Sequence, residues 1–312
     1  MKILIVRPDK LGDLALSLPA AAAVKERFPN SEVTLFVANE VMDFARLFCA
    51  HFDHILGGGI EEYRNLLKSK KIDLAIHLAD YFDYAWESYR AGIKKRIGDR
   101  GKLLYFWIFN LGTRLQLDLK PETQLNLELL APLGITSSVE NLKIEFPAET
   151  IKISGKNWIG IHPGTGGTNK PWLPERYAEL INSLPDKNFI LLGGKREAPL
   201  SKFIEERSKV LNLTGKTTLP ELTYLISKLR IYIGVDSGPL HIASLLKVPT
   251  VFISPTKSIR PERWRPRHDR YVVIRHAEIC PDKKCSAGAC PKNTCVEAIT
   301  VSEVRSALMS ML

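Results

Sequence analysis

The chain has 312 residues, 45% of them hydrophobic and 25% charged, which is the make-up of a globular protein able to bury a core. That composition excludes a collagen, a low-complexity polymer and a disordered acidic tail, and at about 150 residues per domain the length predicts two domains. The formal charge of +10 favours an anionic partner, whether nucleotide phosphates, an acidic membrane face or nucleic acid. Nucleic acid ranks last, because the cations are scattered and neither a zinc-finger spacing nor an aromatic RNP-like strand is present.

Short buried-strand patterns at Lys2 to Val6, Glu32 to Val37 and Asp73 to Leu78 alternate with segments of helical period. Such alternation predicts a parallel sheet with crossover helices. Pro121 to Leu133 reads as helical, and Gly134 to Ser154 is a mixed hinge with one plausible strand at Lys143 to Phe146. The alternation then restarts. Strands are expected at Trp158 to His162, Asn188 to Leu192, Arg230 to Val235 and Thr250 to Ile253, with helices at Pro174 to Leu184, Lys195 to Lys209, Gly238 to Leu246 and, at the end, Ser302 to Met311. Domains of residues 1–150 and 151–312 follow, with the ligand expected in a cleft between them. Apolar runs such as Leu14 to Val24 fall short of the roughly 20 residues that cross a bilayer, and Arg7, Asp9 and Lys10 closely follow the first apolar run, so a cytoplasmic location is expected.

Three strand-to-helix loops carry chemistry. Arg7-Pro8-Asp9-Lys10-Leu11-Gly12-Asp13 has a single glycine and so no dinucleotide fingerprint. Asp13 is either an N-cap or a carboxylate at a strand end able to take a proton from a substrate hydroxyl. In His162-Pro163-Gly164-Thr165-Gly166-Gly167-Thr168-Asn169-Lys170, the glycines let backbone N–H groups approach phosphate oxygens while Thr165, Thr168 and Lys170 add donors. The alternative is a flexible connection. In Val235-Asp236-Ser237-Gly238-Pro239-Leu240-His241, Asp236 or Ser237 can cap the following helix, whose N-terminus with Gly238 makes an anion site, and His241 is either a packed core histidine or part of that site.

Cys280, Cys285, Cys290 and Cys295 are spaced by four residues each, without the C-x2-C knuckle usual in zinc sites. Thiols or disulfides in a surface loop are expected, dispensable for chemistry. Leu103 to Phe109, flanked by Arg96, Arg100, Lys102 and Arg114, is either an edge core helix or an interfacial segment with aromatic rings among lipid headgroups.

Taken together, Lys2 to Pro19 with Gly12-Asp13, the His162 loop followed by Lys170-Pro171-Trp172-Leu173-Pro174-Glu175-Arg176-Tyr177, and Asp236 to Ala243 closely resemble glycosyltransferase family 9, which contains the ADP-heptose:lipopolysaccharide heptosyltransferases. The resemblance implies a GT-B fold, two Rossmann-like domains with parallel sheets facing a central cleft. It implies an acceptor-binding first domain, a donor-binding second domain, and inverting transfer without a cofactor or required metal. Asp13 would match the general base and Lys170 the lysine that neutralises the diphosphate. Thr165 and Gly166 would lie at the phosphates, Glu197 at a ribose hydroxyl, and Asp236, Ser237, Gly238 and His241 in the donor motif. The implied partners are ADP-heptose, a lipopolysaccharide inner-core acceptor and, peripherally, the inner membrane. Another nucleotide-sugar enzyme of this fold, a hexosyltransferase or epimerase, and a non-enzymatic basic binding module are the alternatives.

Overall fold

The computed structural model describes the chain except residues 118–119, 149–150, 152, 168, 259, 281–284, 286–289 and 291. It divides into two units, Met1–Pro147 and Ala148–Leu312.

The first unit holds strands β1 (Lys2–Arg7), β2 (Glu32–Val37), β3 (His54–Gly57), β4 (Leu74–His77), β5 (Lys95–Asp99) and β6 (Leu111–Thr113). They form one parallel sheet in the order β3-β2-β1-β4-β5-β6. Its helices are α1 (Leu11–Arg27), α2 (Met42–Arg46), α3 (Ile60–Ser69), α4 (Phe82–Arg90), α5 (Leu103–Ile108) and α6 (Glu122–Glu128). The run Ile3 to Val6 is buried, as a central parallel strand covered on both faces must be. Helix α1 is buried from Leu14 to Val24, and the carbonyl of its internal Pro19 accepts the N–H of Val139 at 3.0 Å.

The second unit repeats the plan with β7 (Ile159–His162), β8 (Phe189–Leu191), β9 (Leu211–Asn212), β10 (Ile231–Val235), β11 (Thr250–Ile253) and β12 (Tyr271–Ile274), ordered β12-β11-β10-β7-β8-β9 and again parallel. Helices α7 (Pro174–Asn182), α8 (Ala198–Glu205), α9 (Leu219–Ser227), α10 (Gly238–Leu245), α11 (Pro261–Trp264), α12 (Thr294–Glu297) and α13 (Val301–Met311) cover it. The buried Trp172 meets Tyr177 edge-on at 4.8 Å and donates its indole N–H to the Ile299 carbonyl at 3.0 Å. The Lys-Pro-Trp-Leu-Pro segment is thereby anchored to the C-terminal region.

Three expectations change. Lys143 to Phe146 joins no sheet: it is held by isolated bonds such as Glu145 N–H to the Leu47 carbonyl at 2.8 Å, so no strand ladder forms. The helix expected over Lys195 to Lys209 is a 3-10 turn, Lys195–Glu197, followed by α8, with Pro199 at the start where its missing N–H is harmless. The helix expected over Pro121 to Leu133 ends at Glu128, and Pro132 lies in a separate 3-10 turn. Among the described residues no helix is long and apolar enough to cross a membrane.

Candidate active site

In each sheet the strand order reverses beside the first strand of the unit, between β1 and β4 and between β10 and β7. Loops leaving the carboxyl ends of strands at such switch points part to make ligand crevices. The loops singled out in the sequence leave these strands.

At the first switch point Arg7 closes β1 with a guanidinium 3% exposed. Its Nε lies 3.1 Å from Asp9 Oδ1, and its Nη2 lies 3.4 Å from Asp13 Oδ1 and 3.6 Å from Glu122 Oε1. Its Nη1 donates to the Leu78 carbonyl, on the connection from β4 to α4. One buried cation thus gathers carboxylates from the β1 loop, the first turn of α1 and α6. The Asp9 contact lies off the N–H direction and is electrostatic, without a formal hydrogen bond. Burial pushes the Asp9 carboxyl up to about 7; the Arg7 guanidinium works against this, and Asp13 and Glu122 reinforce it. Asp13 is the most open of the three, with its side chain 27% exposed against 11% for Asp9 and 9% for Glu122. It is therefore the carboxylate of the three that is most accessible from solvent. The capping alternative falls away, because Lys10 occupies the N-cap and Asp13 lies a residue beyond the first two helical positions, making no cap bond.

At the second switch point three loops converge. His162 ends β7, and its Nδ1 lies 3.2 Å from Ser237 Oγ on the β10 loop. Burial pulls His162 down to about 4, so the ring is neutral at physiological pH. The loop after β8 approaches Gly164 so closely that a Cβ there would collide with the Glu197 side chain. Glu197 Oε2 accepts the Gly194 N–H at 2.9 Å, so it closes its own turn and leaves Oε1 uncommitted to the cap.

Gly166 and Gly167 take φ of +63° and +83°, a left-handed backbone that side chains resist, with open space where a Cβ would stand. Thr165 Oγ1 donates to the Asn169 carbonyl at 2.8 Å and accepts from Gly167 N–H at 3.3 Å, so it shapes this turn. Thr168 lies outside the described residues.

Ser237 is the N-cap residue of α10, yet its hydroxyl donates to the Val235 carbonyl at 3.0 Å and makes no cap bond. Asp236 makes no cap bond either: its Oδ1 meets His241 Nε2 at 3.1 Å. The expected side-chain cap is therefore not formed, and the Gly238 N–H has no side-chain acceptor from either residue. His241 is buried; with the Nε2 proton assigned toward Asp236, its Nδ1 is an acceptor that meets no partner among the described residues.

Lys170 is buried, and its Nζ donates to the Lys292 carbonyl and to Asn293 Oδ1, both at 2.6 Å. Neither partner is a carboxylate, so these bonds leave the positive charge uncancelled. Through these bonds Lys292 and Asn293, which lie between Cys290 and Cys295, reach the Lys170 ammonium. All five cysteines are free thiols, and the described residues contain no grouping of three His, Cys, Asp or Glu side chains suited to a metal.

Sequence reasoning missed Arg7, Asp9 and Glu122 in the first unit and Asn169 and Asn293 in the second. An arginine ending an apolar strand two residues before an aspartate was a usable signal. Glu122 and Asn293 arrive from far along the chain with none. Asn169 Oδ1 accepts from Lys170 N–H and Thr256 Oγ at 2.8 and 2.6 Å, while its buried Nδ2 has no partner among the described residues.

Comparison with known proteins bears on this arrangement. The model of glycosyltransferase family 9 (heptosyltransferase) matches residues 62–292, a span that holds the second unit's three loops and begins after Asp13. Lipooligosaccharide heptosyltransferase 2 of Campylobacter jejuni is 28% identical over 306 residues, covering 91% of this chain and 92% of the relative. Among solved structures, a family 9 glycosyl transferase from Veillonella parvula superposes with a TM-score of 0.79 at 19% identity, covering 99% of this chain and 96% of the other. The Escherichia coli heptosyltransferase WaaC with ADP-2-deoxy-2-fluoro heptose gives 0.75 at 16% identity, covering both chains completely. These likenesses show the fold: paired Rossmann-like units of the GT-B kind.

Proposed function

We infer the reaction from one premise: the chain belongs to glycosyltransferase family 9, the heptosyltransferase family, and is a glycosyltransferase. In this reading it moves a heptose from ADP-heptose to the inner core of a lipopolysaccharide with inversion at the anomeric carbon. Unit Met1–Pro147 takes the acceptor and unit Ala148–Leu312 the donor. The name of the Campylobacter relative and the ADP-sugar carried by the Escherichia coli structure support the choice of substrates. The observation that carries the reading is the contrast between the switch points, a carboxylate cluster in one unit and a loop array open to anions in the other.

Asp13 takes the proton from the acceptor hydroxyl as that oxygen attacks the anomeric carbon from the side opposite the diphosphate. The leaving charge is met by Lys170, the backbone N–H groups around Thr165 and Gly166 and the uncapped start of α10 at Ser237 and Gly238, which are preorganised and need little rearrangement. His241, held by Asp236, and Glu197 face the nucleoside half of the donor. No step calls on a metal. The reaction runs in the cytoplasm, with the protein peripheral at the inner face of the membrane, and the charge of +10 suits a phosphorylated lipid acceptor.

Purified protein given ADP-heptose and a heptose-deficient core acceptor should release ADP and extend the acceptor by one heptose. Isomerisation of the donor without an acceptor would replace this reading with an epimerase. Donor binding without turnover on any core acceptor would remove the acceptor assignment.

A further inference from the structure

Helices α4 and α5 leave an aromatic surface uncovered on the first unit. On α4 the rings of Phe82, Trp86 and Tyr89 form one stripe, stacked at 6.0 and 5.5 Å and all exposed. On α5, Tyr105 and Ile108 turn inward against Ala85 and Phe109. Leu103 and Trp107 stand 83% and 74% exposed, with Leu104 and Phe106 also in the open. A contiguous apolar surface of this kind marks a place where something docks.

Its charge identifies the occupant. Residues 90–114 contain seven Lys and Arg and one acid, Asp99, whose Oδ1 accepts the N–H groups of Gly101 and Leu115. The cations mingle with the rings. Arg100 lies 4.2 Å over Phe106, Arg96 5.1 Å over Tyr89 and Lys102 5.4 Å over Tyr105. Asp80 is paired with Lys102, and Glu87 with Arg64 and Arg90, which leaves Asp83 as the open acid of α4. A protein interface core is depleted of charge, whereas rings interleaved with cations match the headgroup layer of an anionic bilayer.

We propose that the α4–α5 face is the surface by which this chain docks on an anionic phospholipid membrane. The proposal rests on the acceptor reading of the first unit, which it extends. The same connection that feeds α4 reaches the carboxylate cluster: the Leu78 carbonyl holds Arg7, and Tyr81 lies near enough to Asp9 and Asp13 that, after burial, their charges raise its phenol. A membrane held on this face brings lipid headgroups toward Asp13, where an acceptor anchored in that membrane carries its sugars.

The test is flotation of the full chain with phosphatidylglycerol-containing vesicles and with phosphatidylcholine vesicles. The wild type should bind the anionic vesicles at least about tenfold more tightly. The pair Leu103→Ser with Trp107→Ser, and separately Lys94→Glu with Lys95→Glu, should each lower that binding about tenfold or more, while transfer to a lipid-free core oligosaccharide stays within about twofold of wild type. Equal binding to both vesicles, wild-type binding by the serine pair, or self-association through this face without vesicle binding would overturn the proposal. Absence of transfer to the soluble acceptor by the wild type would instead count against the reaction, leaving the vesicle result to judge the surface.

Discussion

The two units share one strand order but have opposite chemistry at the point where that order reverses. In the first, a buried guanidinium at the end of β1 is surrounded by Asp9, Asp13 and Glu122, so the strand end is ringed by acids tied to a fixed cation. In the second, the equivalent strand ends in the neutral His162 and continues into left-handed glycines, and the nearby helix end is uncapped. One scaffold therefore presents a cluster of carboxylates in one copy and, in the other, a helix start without a side-chain cap. The strand order fixes where a ligand binds, and the few residues after the strand fix what kind of ligand it is.

Removing the cation should break the first unit most severely. Arg7→Met leaves three carboxylates together without their counter-charge and should cost about 3–5 kcal/mol of stability, as breaking a buried ion pair does. Urea unfolding at pH 8 measures this, and a loss under about 1 kcal/mol would mean that Arg7 does not hold the cluster. Asp13→Asn comes next: transfer should fall more than about a hundredfold while calorimetric binding of ADP stays within about twofold, because a base acts on the acceptor. Near-normal turnover would remove the assigned division of labour between the units.

Lys170→Ala probes the other side of the contrast. Its ammonium would meet charge present in the bound donor and growing as the diphosphate leaves, so affinity for ADP and the rate of transfer should both fall, each by about tenfold. Asn293→Ala sharpens this, because Asn293 Oδ1 accepts a hydrogen bond from the Lys170 ammonium and would act on the donor through it. Its effect on ADP affinity should vanish when Lys170 is already alanine, a coupling read from a double-mutant cycle. Independent effects would separate the tail from the site.

The paired α/β plan was legible because its strands are short apolar runs between helical periods, and parallel sheets leave that signature at Lys2–Arg7 and Ile231–Val235. The loops bearing Asp13, Lys170 and Asp236 were legible for the same local reason, as each follows a strand and opens a helix. What escaped depended on contacts distant in sequence. Glu122 reaches Arg7 from 115 residues away, and Asn293 reaches Lys170 across 123. Local pattern also misled at Ser237, whose residue type and position suit a cap but whose hydroxyl is taken by the Val235 carbonyl. A residue's type declares what it can bond; the fold decides which partner is nearest.

The last expected effect is a pH dependence at Asp9, and its sign separates an acid stored in the cluster from one that merely completes an ion pair. Its carboxyl is pushed up to about 7 in the folded chain, against 3.8 for an unburied aspartate, because burial outweighs the attraction of Arg7. Between these values the folded state holds the proton more tightly than the unfolded one. The Asp9 contribution to stability therefore falls as pH rises, by about 1.4 kcal/mol per pH unit, and levels off above about 7. Buried His162, whose pKa is lowered to about 4, works in the opposite direction over part of this range, so the whole-protein profile mixes the two. The informative quantity is the difference between Asp9→Asn and wild type, in which the histidine term cancels. Urea unfolding should show the variant gaining relative stability between pH 5 and pH 7 at about that slope. A flat difference, or one that grows toward acid, would mean that Arg7 holds Asp9 as an ordinary ionised partner, and the first unit would contain no carboxyl poised to exchange a proton beside Asp13.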